Sequence, residues 1–301
     1  MTTRSGRDMI SKIVKTMERA VLASCEVIRP FAMGSRSLGD VSVKADETLL
    51  TAVDKMSEDV GKVILRDAFP DIPFIGEEGG QSGANARYEF WYDPLDGTAP
   101  FVIGTPTSTV ICALYDNIEC VLKAVVIAEP AYQRVWSAIR GQGSYFRVAD
   151  IPKQKRVVWR GDLGRGTGVF CDFTQGFKRD KGVRQIFSDH QALVLTTQLA
   201  ANTRLLLLGS NGAHQAYVAD GRDKVAGGIT TAMGGPWDAA GALLVMEAGG
   251  AAKAFSMDKS ILSERNPLNP KSYDILVYGN SPQTTETLTD YLKQAILEAV
   301  E

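Results

Sequence analysis

Histidine is nearly absent from this chain: His190 and His214 are the only two in 301 residues. No site built from several imidazoles is available, so a metal held here must be held mainly by oxygen, which favours hard ions such as magnesium, manganese or calcium. Cysteine is also sparse. Cys25, Cys112, Cys120 and Cys171 show no C-x-x-C spacing, which points to buried thiols rather than a disulfide frame or a zinc site. Excess charge is missing as well: 33 basic against 35 acidic side chains leave a net charge of −2, a balance that does not ask for nucleic acid or an anionic membrane. The opening MTTRSGRDMISKIVK breaks its apolar residues with charge and has neither a signal-peptide core nor a spanning segment. A cytoplasmic protein without membrane contact is expected.

What is present suits a globular protein with a sizeable core, since 45% of the residues are hydrophobic and 23% charged. Apolar residues at Ile10, Ile13, Val14, Met17, Val21, Cys25 and Ile28 fall on one helical face, which Pro30 is expected to end. A second helical face is expected through Leu49, Val53, Met56, Val60, Val63 and Ile64, closing near FPDIP. Beyond residue 72 the period becomes that of strands, in PFIGEE, YEFWYD, STVICALYD, CVLKAVVIAEP, RVWSAI and GSYFRV. Helices followed by a run of strands predict an α+β layered unit. Near residue 150 the composition turns basic, from Lys153 to Arg184. Two halves are therefore expected, an N-terminal α+β half over 1–150 and a C-terminal α/β half over 151–301. The basic stretch is either a solvated face or a surface for a second phosphate.

The stretch WYDPLDGTAPF, residues 91–101, carries the chemistry. Asp93 and Asp96 flank Pro94 and Leu95, and proline stiffens the turn so that two carboxylates can converge on one point. Like charges held close would neutralise one another by a raised pKa unless a cation sits between them. Gly97 and Thr98 then open a short helix whose first-turn amides favour an anion such as phosphate. A cation site beside an anion site is the arrangement of metal-assisted phosphoryl hydrolysis; an Asx-turn with a second, solvated Asp is the other account of the same residues. Two further segments bear on the choice. FIGEEGG sets Glu77 and Glu78 after a short strand, and GPWDAAGALLVMEAGG places Asp238 in the first turn of a helix that Gly249 and Gly250 stop.

Taken in order, with LLTAVDK upstream, GEEGG, WYDPLDGTAPF and GPWDAAGALLVMEAGG resemble the signature motifs of the inositol monophosphatase superfamily, the magnesium-dependent, lithium-sensitive phosphatases. The resemblance implies an α/β/α/β/α sandwich of the inositol monophosphatase and fructose-1,6-bisphosphatase type, and a homodimer. It implies two or three Mg2+ ions held by Glu77, Asp93, the carbonyl of Leu95, Asp96 and Asp238. Thr98, with Glu77, would position the attacking water; Asp54 in TAVD would accept the Thr98 hydroxyl; the amides of Gly97 and Thr98 would hold the phosphate. The implied activity is hydrolysis of a small phosphorylated metabolite, with histidinol phosphate, 3′-phosphoadenosine 5′-phosphate and sugar bisphosphates as alternatives to an inositol phosphate, and a regulatory interaction protein as the alternative of another class.

The part expected to read the alcohol departs from that pattern. Thr231 stands seven positions before Asp238, where inositol phosphatases of the family carry an acid, and GTAPF stands where they often have GTTNF. The segment GSNGAH, 209–214, is a candidate substrate wall, with His214 either facing a substrate or structural.

Overall fold

The computed structural model describes residues 4–37, 39, 41–43, 49–82, 86–172, 177–179, 182–184, 187–231, 233–258 and 260–298. The apolar stripe near the N-terminus forms α1 (Arg4–Ala32), which runs two residues past Pro30. A short pair, β1 (Ser42–Val43) and β2 (Leu49–Leu50), leads to α2 (Ala52–Ala68). Then come β3 (Phe74–Gly76), β4 (Gly80–Ser82), β5 (Tyr88–Asp96), the one-turn helix α3 (Thr98–Val102), β6 (Thr109–Asp116), β7 (Val121–Glu129), β8 (Arg134–Ile139), β9 (Gly143–Val148) and β10 (Gln154–Arg156). These strands make an eight-stranded sheet in the order β10-β9-β8-β7-β6-β5-β3-β4. It is a meander from β5 to β10, as short turns between successive apolar strands favour, and only β3 joins β5 in parallel.

The second half supplies β11 (Gly168–Asp172), a hairpin of β12 (Phe177–Arg179) and β13 (Gly182–Arg184), α4 (Asp189–Asn202), β14 (Arg204–Leu206), α5 (Asn211–Ala219) and β15 (Val225–Thr230). A 3-10 turn (Pro236–Ala239), α6 (Ala242–Glu247), β16 (Ala251–Asp258), β17 (Ile261–Arg265), a second 3-10 turn (Pro270–Ser272), β18 (Ile275–Gly279) and α7 (Pro282–Leu297) follow. Its sheet has the order β14-β11-β15-β18-β16-β17. The apolar run LVLTT lies inside α4, which Ser188 caps by accepting the Gln191 amide.

Three cores follow from this arrangement. One joins α1 and α2 to the first sheet, one fills the space between the sheets around α5 and α6, and one joins α4 and α7 to the second sheet. The result is the expected α+β sandwich with alternating layers of helix and sheet. Cys25, Cys112 and Cys171 are buried free thiols, but Cys120 is exposed in the β6–β7 turn.

α2 departs from its expected face. Met56 and Val63 are exposed at 41% and 59%, and the helix starts after Leu49. Its buried stripe is Val53, Asp54, Ser57, Glu58, Gly61 and Leu65, a helical spacing that is largely polar. Ser57 donates to the carbonyl of Pro94 at 2.8 Å, and Glu58 accepts the amide of Glu78 at 2.8 Å. Ser24 of α1 donates to the carbonyl of Ser57 at 2.6 Å; its one proton is then used, so the Tyr92 phenol, 2.7 Å away, donates to Ser24. Gly61 leaves room for that phenol, because a Cβ there would overlap its ring. Gly61→Ala is expected to displace Tyr92 and lower stability by about 1–3 kcal/mol, as overpacking does. Urea unfolding midpoints of the variant and the wild type would measure it.

Candidate active site

The site begins with a defect in β5. Asp93 pairs with Ile111 of β6 and Asp96 with Thr109, so three steps along β5 face two along β6 and one residue is extra. Pro94 has no N–H to lose from the ladder. The bulge turns the strand end, and Asp93 Oδ1 caps it by accepting the Leu95 amide at 2.9 Å. Gly97 follows with φ 85°, a left-handed conformation that a side chain would strain, and a Cβ there would also lie 2.9 Å from the carbonyl of Gly209.

Asp96 is held from the second half. Its Oδ2 accepts the hydroxyls of Thr109 at 2.7 Å and Ser210 at 2.5 Å and the amide of Gly212 at 2.8 Å, and its Oδ1 accepts the amide of Asn211 at 3.1 Å. Ser210 is also the N-cap of α5, so the candidate wall GSNG is where the second half grips the DPLD turn. Asp238 lies in the 3-10 turn rather than in the first turn of the long helix expected. Gln215 takes the Asp238 carbonyl at 2.6 Å, removing the acceptor that would carry the helix through Gly241. Asp238 Oδ2 accepts the amides of Gly234 and Gly235 at 2.5 and 3.2 Å.

The three carboxylates converge: Asp93, Asp96 and Asp238 each bring an oxygen within 4.8 Å of the others. They are 2%, 5% and 6% exposed. Burial pushes the pKa of each upward; repulsion by Glu77 and Asp96 adds to it at Asp93 and Asp238, while hydrogen bonds partly offset it at Asp96. Among the described residues no lysine or arginine pairs with any of the three, so only N–H and O–H groups compensate them. Three buried oxygen donors without a counter-charge fit a hard divalent cation. Glu77 stands at the end of β3, its amide bonded to the Tyr92 carbonyl at 3.1 Å.

Thr98 and Asp54 meet as well. The Thr98 hydroxyl lies 3.3 Å from Asp54 Oδ1 and 3.1 Å from the Leu95 carbonyl. Asp54 is fixed by a capping box, its Oδ2 accepting both the amide and the hydroxyl of Thr51 at 2.8 and 2.6 Å. Asp54 thus meets Thr98, and Glu77 lies near enough to Asp93 and Asp238 to act on their charge, around the strand end that carries Leu95, Asp96 and Gly97. Sequence reasoning missed the supports Ser24, Ser57, Tyr92 and Thr109, and read Ser210 only as part of a substrate wall. A helical period of polar residues in α2 was the one signal that would have found Ser57.

Of the two readings of His214, the structural one holds. Thr231 donates its hydroxyl to the backbone carbonyl of Asp172 at 3.0 Å. His214 is structural: it is 1% exposed, stacks on Phe170 at 4.7 Å, and Nε2 accepts the Leu208 amide at 3.2 Å. Burial lowers its pKa to about 3, so its approach to Asp172 at 3.4 Å is no ion pair. Three members of the basic stretch have their places elsewhere. Lys153 pairs with Glu18 and Arg156 with Asp220, while Arg165 lines a cavity with Ser281, Thr284 and Tyr291. That residue precedes β11, whose far end reaches Asp172. Lys181 lies outside the described residues.

Comparison with known proteins agrees with this geometry. The family model described as "Inositol monophosphatase family" matches residues 9–296. The chain is 30% identical to Nus factor SuhB of Pseudomonas aeruginosa over 254 residues, 82% of this chain and 88% of that protein. It is 27% identical to the fructose-1,6-bisphosphatase/inositol-1-monophosphatase of Aquifex aeolicus over 181 residues, 60% of this chain and 66% of that one. The solved structure of the extragenic suppressor protein suhB from Bartonella henselae shares the fold at a TM-score of 0.74, with 24% identity and 94% and 98% of the two chains covered.

A pH consequence follows from the carboxylates. A group whose pKa is raised on folding favours the folded state at low pH and loses that advantage as pH rises from 3.8, its ordinary value, through the raised one. The metal-free protein is therefore expected to lose stability as pH rises above about 4. Divalent cation should restore it, by about 2.7 kcal/mol per site at a hundred times Kd, and one fixed metal concentration should restore more at pH 8 than at pH 5. Asp93→Asn should raise the melting temperature of the chelator-treated protein at pH 8 and shrink the increment from added metal. Thermal melts with and without chelator at the two pH values check both signs.

Proposed function

The chain belongs to the inositol monophosphatase family, and we propose that it is a magnesium-dependent phosphomonoesterase acting in the cytoplasm on a small phosphorylated metabolite. The observation that carries this is the convergence of Asp93, Asp96 and Asp238 on the bulged strand end that opens into Gly97 and Thr98. In this reading Glu77, Asp93, the Leu95 carbonyl, Asp96 and Asp238 hold two or three ions. The ions would supply charge that polarises the phosphoryl group and its leaving oxygen and that makes a water acidic enough to attack.

The chain's own groups do the rest. The amides of Gly97 and Thr98 orient the phosphate at the mouth of α3. Asp54 accepts the Thr98 hydroxyl proton, which leaves the Thr98 oxygen lone pairs free to take a proton from the attacking water, with Glu77 on its other side. Asp54 can hold that role because its second oxygen is already committed to Thr51. The halves 1–150 and 151–301 would each contribute, the first the strand end and the second Asp238 and the alcohol side. A homodimer and inhibition by lithium belong to the same reading.

Several relatives carry the name Nus factor SuhB, which favours a second reading in which the fold also serves contacts with other macromolecules. Phosphate release separates the two. Magnesium-dependent release from inositol 1-phosphate, histidinol phosphate, fructose 1,6-bisphosphate or 3′-phosphoadenosine 5′-phosphate is expected, and should fall to background in Asp93→Asn. Silence across the panel, with metal binding shown by calorimetry, would overturn the enzyme and leave the second reading. Thr98→Ala is expected to lower kcat by about a hundredfold or more while the metal Kd changes little. Equal loss of both would make Thr98 a structural residue.

A further inference from the structure

Asp172, at the end of β11, is a carboxylate beside the phosphate cradle for which the proposed hydrolysis has no use. Its Oδ2 accepts the amide of Gly209 at 3.0 Å. The carbonyl of that same Gly209 stands 2.9 Å from where a Cβ on Gly97 would be, and the next residue, Ser210, bonds Asp96. One residue's width thus separates Asp172 from the turn that would hold the phosphate, and it feels the charge of Asp96. The side chain is 12% exposed. Among the described residues Oδ1 has no hydrogen-bond donor, and neutral His214 beneath it contributes no cation.

The strand end is held firmly. β11 pairs in parallel with β15, Asp172 opposite Thr230, and Thr231 donates its hydroxyl to the Asp172 backbone carbonyl. Thr231 therefore spends its one proton on the backbone and offers the substrate no charge, while the carboxylate one strand over remains available. An acceptor-only group in a largely buried wall takes a donor and repels an anion.

We propose that Asp172 reads the alcohol of the substrate: Oδ1 accepts a hydroxyl or ammonium on the carbon next to the ester carbon, and excludes a second phosphate or a carboxylate from that position. This rests on the phosphomonoesterase reading and narrows its substrate class to monophosphates with a vicinal donor.

The test uses four small esters that differ only at the second carbon: 2-hydroxyethyl phosphate, 2-aminoethyl phosphate, 2-methoxyethyl phosphate and phosphoglycolate. For the wild type with magnesium, kcat/KM for the hydroxyl or the ammonium ester should exceed that for the methoxy ester about tenfold or more, as expected for a hydrogen bond to a charged group, and phosphoglycolate should be poorest. The first two esters tell the two donor sources apart. Asp172→Asn keeps an acceptor for Gly209 and loses the charge. It should reduce the donor-to-methoxy ratio and raise the phosphoglycolate-to-methoxy ratio, two changes that a merely structural role would not produce. A wild type indifferent to the second carbon, or a variant that slows all four esters equally, would overturn the proposal and leave Asp172 as a prop for Gly209. Absence of release from all four, and from p-nitrophenyl phosphate, with magnesium bound would instead sink the phosphomonoesterase reading itself. The wild-type ratios decide the matter even where the variant does not fold.

Discussion

Three buried carboxylates that repel one another set the terms for the rest of this molecule. Asp93, Asp96 and Asp238 sit almost out of water, with their oxygens inside one 4.8 Å cluster and, among the described residues, no cationic side chain paired to them. Left alone, such a cluster would spread apart or take up protons. It stays compact because each member is tied separately. Asp93 is tied by its own turn, Asp96 by two hydroxyls and two amides that come mostly from the start of α5, and Asp238 by the amides of Gly234 and Gly235. Each tie lowers the cost of the charge without cancelling it, which leaves room for an outside cation to do so.

The same requirement explains the odd helix. α2 turns a polar face inward because the DPLD turn has groups that need partners: the Pro94 carbonyl takes Ser57, the Glu78 amide takes Glu58, and the Thr98 hydroxyl takes Asp54. Below it, the chain of Tyr92, Ser24 and Ser57 carries the support through to α1. Buried polar networks are costly when partly satisfied and rigid when complete. This one is nearly complete, and it holds the strand end from beneath while α5 holds it from above. The two halves meet at Asp96 because that carboxylate is where both supports end.

How much of this was legible in the sequence depends on how local the cause is. The strands from 88 to 148 announce themselves by apolar runs cut by short turns, and the carboxylates of DPLDGT by a proline and a glycine that fix their own backbone. These signals need no partner. The inward face of α2 was misjudged because Met56 and Val63 keep helical spacing with the true core residues, while the groups that draw Ser57 and Glu58 inward lie 37 and 20 positions away. The break at Gly241 was invisible for a like reason. It is made by Gln215, 23 positions earlier, taking the Asp238 carbonyl. The end of α1 was off by only two residues, since a proline in a last turn removes a single hydrogen bond.

Chemistry and recognition are separated in this architecture, and the separation has a physical basis. The groups that would converge on a cation and a phosphate are fixed by bulge, cap and helix start, and any one of them moved would disturb the others through the shared charge. The proposed alcohol side would be built differently, at the ends of β11 and β15, where Asp172 and Thr231 border a second sheet with its own core. A side chain there can change from neutral to acidic, or move from one strand to its neighbour, without making or breaking a direct bond to Asp93, Asp96 or Asp238. Thr231 bonded to the backbone of Asp172 fits such an exchange, in which an acid absent from one strand end is present on the next. Motifs near the carboxylates thus speak to the reaction, whereas specificity must be read from residues that only the folded sheet makes neighbours.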